Sequence, residues 1–361
     1  MSLGENAHQV RVMVVDDSAF MRTALTRMIE SDPSLQVVAT AQNGCEALQK
    51  IPAIQPDVVT LDVEMPRLNG LETLKRIMSE YPRPVIMISS VTQEGAEITF
   101  EALGLGAFDY IPKQMSRVSL DIVNIRDDLV AKVKAAATMG RRKSVQRARV
   151  SLASSTHSVQ RPSNLIASIV SIGTSTGGPR ALQEILPLLP ADLKVAVLVV
   201  QHMPVGFTGP FARRLNNLCK ISVQEAQNGT VISDGVVYIA PAGLHMTVDR
   251  KAGPLPRIRL SQHPLGTLHT PSVDVTMLSV AEAYGALAMG VILTGMGNDG
   301  AQGIKSIFAA GGITVGQDEA SSIVYGMPRA CAEMGVLHRV VPLHRIPEQI
   351  LMATDYYKRR A

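Results

Sequence analysis

The chain has 361 residues, with 46% hydrophobic and 18% charged side chains, which excludes wholesale disorder and exceeds what one core usually holds. No apolar run reaches the ~18 residues of a membrane-crossing helix. Three dispersed cysteines, Cys45, Cys219 and Cys331, form no CxxC pair, which argues against a disulfide framework and a thiolate metal site. The short polar opening, residues 1–9, reads as a leader and not as a secretory signal, so a cytoplasmic protein without membrane insertion is expected. The net charge of +4 is local. Arg141, Arg142, Lys143, Arg147, Arg149 and Arg161 lie within 139–163, a stretch without Asp or Glu, and without those six the chain carries −2. Basic charge on a tether, not on a folded face, argues against nucleic-acid binding.

In chain order, strand patterns at 10–15, 37–41, 58–61, 85–88 and 107–111 alternate with helical patterns at 19–30, 44–50, 71–80, 94–103 and 118–137. Five βα units predict a five-stranded parallel sheet, doubly wound, over residues 10–138. Residues 139–163 are poor in apolar side chains and rich in Ser, Arg and Gln, and read as a flexible linker. From residue 164 onward the pattern resumes. Continuous apolar runs at 166–172, 195–200 and 286–293 suit buried parallel strands, helical patterns fall at 179–189, 207–218, 273–284 and 303–310, and a short strand pattern falls at 313–315. The shorter alternating runs of 229–260 suggest hairpins. The expectation is a second doubly wound α/β/α domain, 164–361, with a mostly parallel sheet.

In the first domain Asp16 and Asp17 follow the first strand, Asp62 the third, Ser89 ends the fourth, and Lys113 lies past the fifth. Parallel α/β folds place ligands at these carboxyl ends. Three carboxylates there suit a hard divalent cation such as Mg²⁺, with Lys113 paired to the same charge. Each acid taken singly is also a plausible helix cap. The stretches VMVVDDS, TLDVEMPRLNG, VIMISS and AFDYIPK resemble the receiver domain of two-component response regulators. The resemblance implies that Asp62 accepts a phosphoryl group from a histidine kinase. It implies that Asp16, Asp17, Asp62 and the backbone carbonyl of Glu64 hold Mg²⁺, that the Ser89 hydroxyl turns to the phosphoryl group, and that Tyr110 is an aromatic switch. Gln114 stands where the family has proline after Lys113, which leaves the form of that peptide bond open.

In the second domain the first strand runs into Gly173-Thr174-Ser175-Thr176-Gly177-Gly178-Pro179 and a helix. A glycine turn at a helix N-terminus can cradle a phosphate or form a nucleophile turn with an oxyanion hole. The lysine of a nucleotide-binding loop is missing. His202 follows the next strand and Asp299 a later one, so serine, imidazole and carboxylate meet at one sheet edge. The imidazole would take the serine's proton and the carboxylate would fix its tautomer. The order Ser…His…Asp differs from α/β-hydrolases. Asp299 also reads as a turn residue or cap, and His245, His263 and His269 compete for the base, with a surface-loop reading preferred for His263 and His269.

IGTSTGGP, QHMPVGFT and LTGMGNDGAQG resemble the chemotaxis response-regulator protein-glutamate methylesterases, the CheB family. That resemblance implies Ser175 as nucleophile, His202 as base and Asp299 as its orienting acid, with oxyanion donors from the backbone N–H groups of Thr176 and Met296 and no cofactor in the esterase site. It implies hydrolysis of glutamate γ-methyl esters on chemoreceptors with release of methanol, control by a chemotaxis histidine kinase acting on Asp62, and in some members glutamine deamidation. A receiver acting as a phosphorylation-dependent binding module or phosphate sink, with an idle esterase, remains the alternative class of function.

Overall fold

The structure is a computed structural model that describes residues 9–90, 92–113, 119–146, 166–250 and 253–356. It divides into two compact units, Met1–Leu152 and Ala153–Ala361.

The first unit runs β1 (Val10–Val15), α1 (Ala19–Glu30), β2 (Leu35–Ala41), α2 (Gly44–Ile54), β3 (Val58–Asp62), α3 (Gly70–Glu80), β4 (Val85–Ser89), α4 (Gln93–Gly104), β5 (Asp109–Pro112) and α5 (Ser119–Gln146). The five strands lie in the order β2-β1-β3-β4-β5, all parallel. β3 and β4 are buried along their whole length, as central strands covered on both faces must be. Helices α1 to α4 start where a polar side chain takes a free N–H. Ser18 accepts from Met21, Asn43 from Glu46, Asn69 from Glu72 and Thr92 from Gly95. Helix α5 continues to Gln146, so the first part of the stretch read as linker is helical. Residues 147–163, the rest of that linker, together with residues 164–165 and the Lys113–Gln114 bond, lie outside the described residues.

The second unit runs β6 (Ile169–Thr174), α6 (Gly178–Ile185), β7 (Ala196–Gln201), α7 (Thr208–Leu218), β8 (Ser222–Glu225), β9 (Val236–Ile239), β10 (His245–Asp249), β11 (Arg257–Ser261), α8 (Val273–Tyr284), β12 (Ala288–Ile292), α9 (Ala301–Ala309), β13 (Ile313–Gln317), α10 (Met327–Glu333), β14 (Arg339–Val341) and α11 (Ile346–Ala353). Seven strands form one sheet, β14-β13-β12-β6-β7-β9-β8, and every pair in it is parallel. The hairpins expected in 229–260 reduce to one, the antiparallel pair β10–β11. β9 instead pairs in parallel with β7 and β8, because its run VVYI is apolar enough to be covered on both faces. Ile169, Leu198, Val200, Tyr238, Met277, Ile292 and Ile304 belong to the core that this sheet shares with its helices.

Both sheets contain a point where the winding reverses. β1 lies between β2 and β3, and β6 lies between β7 and β12. Connections leave such a strand in opposite directions, so the crevice beyond the carboxyl ends stays open. Among the described residues no helix is long and apolar enough to cross a membrane.

Gly70 opens α3 against the end of β3. A Cβ there would lie 2.1 Å from the Asp62 carbonyl oxygen and 2.8 Å from the Val63 Cα, and backbone atoms cannot rotate aside. Gly70→Ala is expected to lower the stability of the first unit by about 1–3 kcal/mol, read as a shift in denaturant midpoint. A midpoint at the wild-type value would show that α3 can move away from β3.

Candidate active site and candidate phosphoacceptor site

The acidic cluster of the first unit is built from strand ends. Asp16 follows β1 and is buried, its backbone N–H held by the Ala41 carbonyl at 3.1 Å. Its Oδ1 accepts from the Ser18 N–H at 2.9 Å, and Arg22 ties the carbonyls of Asp16 and Asp17 to the first turns of α1. Asp62, the last residue of β3, is buried, while Asp17 is exposed. One carboxylate oxygen from each of Asp16, Asp17 and Asp62 lies within 4.8 Å of the others. Lys113 Nζ sits 2.6 Å from Asp62 Oδ2 and 3.1 Å from Asp16 Oδ2, with its backbone N–H on the Ser89 carbonyl at 2.6 Å.

Burial pushes the Asp62 carboxyl up to about 6; Lys113 opposes this and the charge of Asp16 adds to it. A carboxylate so placed gains from a further cation. The donor set, three oxygen ligands of which two are buried, fits Mg²⁺ and leaves coordination positions for other oxygens. Glu64 donates its N–H to Asp62 Oδ1 at 3.2 Å, and its side chain accepts from Ser90 Oγ at 2.9 Å. The Ser89 hydroxyl donates to the Gly95 carbonyl at 3.1 Å, at the start of α4. Tyr110 is buried, its ring edge-on to Phe100 with centroids 6.3 Å apart.

The second cluster lies where β6, β7 and β12 end side by side. Thr174 pairs with Gln201, and Ile292 with Gly173, so Ser175 and His202 are the next residues on adjacent strands. The Gln201 amide reaches across, donating to the carbonyls of Ser175 at 3.0 Å and His202 at 2.9 Å. Gly178 leaves room for that amide, since a Cβ there would lie 2.0 Å from Gln201 Oε1. Gly177, at φ +77°, makes the tight entry into α6.

Asp299 sits at the N-terminus of α8. It accepts from the hydroxyl of the cap residue Ser272 at 2.8 Å and from the backbone N–H groups of Val273 at 2.8 Å and Asp274 at 3.0 Å. Its fourth partner is Nε2 of His202, at 2.8 Å. Burial alone would raise the Asp299 carboxyl, but the His202 hydrogen bond and the α8 amides outweigh it and hold the group well below the usual range. The helix N-terminus favours the same ionised form. An ionised Asp299 accepts only, so the ring donates from Nε2 and keeps its lone pair on Nδ1. Nδ1 is buried and has no hydrogen-bond partner among the described residues, and so is available as a base.

The turn after β12 lies against Ser175. A Cβ on Gly295 would lie 2.9 Å from Ser175 Cβ. Thr294 joins the two turns. Its carbonyl accepts from the Ser175 N–H at 3.1 Å and the Thr174 hydroxyl at 2.8 Å. Its own hydroxyl faces the Thr176 carbonyl at 2.9 Å and accepts from the Val324 N–H at 3.0 Å. Among the described residues no backbone carbonyl takes the N–H of Thr176 or of Met296.

The other histidines are placed differently from one another. His263 is exposed, as a loop residue should be. His245 is fully buried, with Nδ1 accepting from the Ser272 N–H at 3.1 Å. His269 also lies in a loop and is half-buried, and its ring stacks on that of His202, with centroids 3.9 Å apart and planes 23° from parallel. Proline and glycine in 263–271 marked a loop, but no local signal says that a loop folds over a site. Thr294, Gln201 and Ser272 were also not singled out, although the first two stand inside the quoted motifs and Ser272 is a cap residue in front of a helical pattern.

The raised carboxyl of Asp62 carries a stability consequence. The folded state holds its proton more tightly than the unfolded chain, whose ordinary value is 3.8. The stability it contributes is full below about 4 and is lost as pH rises through about 6. Asp62→Asn is therefore expected to raise the unfolding free energy of the first unit by on the order of 2 kcal/mol at pH 7.5, with the gain vanishing below about pH 4. Urea titrations at the two pH values decide this, and an equal effect at both would show that the charge of Asp62 is not the cause.

Comparison with known proteins assigns both units. The family model described as CheB methylesterase matches residues 170–350, and that of the response regulator receiver domain matches residues 12–123. A protein of Pyrococcus horikoshii named protein-glutamate methylesterase/protein-glutamine glutaminase is 47% identical over 348 residues, covering 96% of this chain and 94% of its own. One of the same name from Symbiobacterium thermophilum is 49% identical over 354 residues, covering 95% and 97%. The crystal structure of the Thermotoga maritima CheB methylesterase catalytic domain superposes with a TM-score of 0.50 at 38% identity, covering 52% of this chain and 99% of that one. With the receiver unit ending in an acidic cluster and a second unit presenting serine, imidazole and carboxylate at one sheet edge, the chain belongs to the CheB family of protein-glutamate methylesterases, carboxylic ester hydrolases that carry a response-regulator receiver domain.

Proposed function

We propose that this protein hydrolyses glutamate γ-methyl esters on chemoreceptors, that Ser175, His202 and Asp299 carry the reaction, and that phosphorylation of Asp62 by a chemotaxis histidine kinase activates it. The observation that supports this reading best is the bond from His202 Nε2 to an Asp299 carboxylate already saturated by the α8 N-terminus. It leaves Nδ1 as the one ring atom able to take a proton. Ser175 Oγ attacks the ester carbonyl and its proton passes to His202 Nδ1. Asp299 stabilises the imidazolium that forms. The oxyanion meets the N–H groups of Thr176 and Met296, where lost donors cost ~10²–10³ in rate. His202 returns the proton to the departing methoxide, and methanol leaves. Water, deprotonated by the same nitrogen, attacks the acyl carbon; the bond to Ser175 Oγ breaks, His202 returns the proton to Oγ, and the receptor glutamate is released. In an apo site the serine–imidazole contact tightens only when substrate is bound.

In the receiver, Asp16, Asp17, Asp62 and the Glu64 carbonyl would hold Mg²⁺, which when bound neutralises charge at the phosphoryl group. Asp62 is the acceptor oxygen and Lys113 pairs with the added charge. The Ser89 hydroxyl would leave Gly95 for the phosphoryl group, and the Tyr110 ring would follow. Glutamine deamidation is a second activity of the same machinery, because amide and ester share one acyl-enzyme. The relatives' printed name includes glutaminase, and ammonia then replaces methanol as leaving group.

The test is methanol release from methylated receptor with and without a small phosphodonor and Mg²⁺. Ser175→Ala should abolish release, by 10³-fold or more on the order of a lost nucleophile. Asp62→Ala should keep basal release and remove the rise with phosphodonor. Release that ignores Asp62 would overturn the control, and release that survives Ser175→Ala would overturn the esterase site. Phosphorylation of Asp62 without any release would favour the binding module or phosphate sink.

Thr294→Val keeps the shape but removes the hydroxyl that bridges Thr176 and Val324. It is expected to lower kcat by about 10- to 100-fold through misplacement of the donors, with a smaller change in KM. A wild-type kcat would show that the two turns hold each other without it.

A further inference from the structure

One buried titratable side chain of the second unit has no part in the steps above. His245 opens β10 and is fully buried, and its two ring nitrogens face different partners. Nδ1 lies 3.1 Å from the backbone nitrogen of Ser272, which can only donate. Nε2 lies 3.2 Å from the Thr267 hydroxyl, and that hydroxyl gives its own proton to the His269 carbonyl at 3.0 Å. Nδ1 therefore accepts from the Ser272 N–H, Nε2 carries the proton and faces Thr267 Oγ1 and the Pro264 carbonyl, and the Thr267 O–H donates to the His269 carbonyl. Burial lowers the pKa of this imidazole against the opposing backbone hydrogen bond of Pro264 and the charge of Asp299, which favours the neutral ring that this chain of donors requires.

Both ends of the chain reach His202. Ser272 caps α8 and donates its hydroxyl to Asp299, which in turn holds His202 Nε2. The ring of His269 covers the face of His202 at 3.9 Å. One imidazole thus ties the cap that grips the edge of the His202 ring to the loop that covers its face.

We propose that His245, as the neutral Nε2–H tautomer, is a positioning residue that fixes the plane of the His202 imidazole by locking the Ser272 cap to the His269 loop. This rests on the esterase reading above, and Ser175→Ala separates the two: turnover that survives that change sinks the esterase reading itself, whatever His245 does.

The experiment measures kcat and KM of the full chain on a small activated ester. His245→Leu, which fills the space without an acceptor, should lower kcat by 10- to 100-fold and leave KM within about twofold. His245→Asn, whose Oδ1 can accept the Ser272 N–H where Nδ1 does, should recover most of that loss. A folded His245→Leu with wild-type kcat overturns the proposal, as does a folded His245→Asn no better than His245→Leu. Should the leucine variant not fold, Thr267→Val decides: it breaks the chain at the half-buried Nε2 end and should lower kcat several-fold at constant KM, and an unchanged kcat there overturns the proposal.

Discussion

The reaction proposed for the second unit depends on a carboxylate held at a helix N-terminus. Asp299 takes hydrogen bonds from the Ser272 hydroxyl and two α8 amides before His202 is counted. Those donors have no partners inside the helix, so they stabilise the anion at little cost in structure. The anion then decides the tautomer of His202, and the tautomer decides which nitrogen can act as base. Without the helix N-terminus the carboxylate would lose part of what holds it ionised, and the preference for one ring nitrogen would weaken.

The two units solve similar problems with opposite electrostatics. Each gathers its polar groups beyond the carboxyl ends of parallel strands, beside the strand where the winding reverses. In the receiver the buried acids crowd one another, and burial raises Asp62. That site is under-neutralised and favours a cation. In the esterase unit the acid is over-supplied with donors and is lowered. There the carboxylate is matched by the donors around it. The contrast follows from what faces each carboxylate: a like charge on Asp16 opposed by Lys113 in one case, helix amides and an imidazole in the other.

Much of this was legible in the sequence. The apolar runs marked the five strands of the first sheet and β6, β7, β12 and β13 of the second, but not β8, β9 or β14, and the positions just after those runs placed Asp16, Asp62, Ser175 and His202 at strand ends. Less was visible where contacts are long-range. Nothing local says that 263–271 folds back so that His269 stacks on His202, or that Ser272 serves two acceptor–donor roles at once. β9 was misread with the hairpins because its length is short and its parallel partner β7 lies far away in sequence. Helix α5 runs on to Gln146, into a stretch whose polar composition reads as linker.

The most direct measurement is the tautomer of His202, read from the ¹⁵N shifts of its two ring nitrogens at neutral pH in the full chain. The account predicts a protonated Nε2 bonded to Asp299 and an unprotonated Nδ1. In Asp299→Ala that preference should be lost together with the esterase activity. A proton found on Nδ1 in the wild-type protein would contradict the account, since the nitrogen assigned to take the Ser175 proton would already carry one.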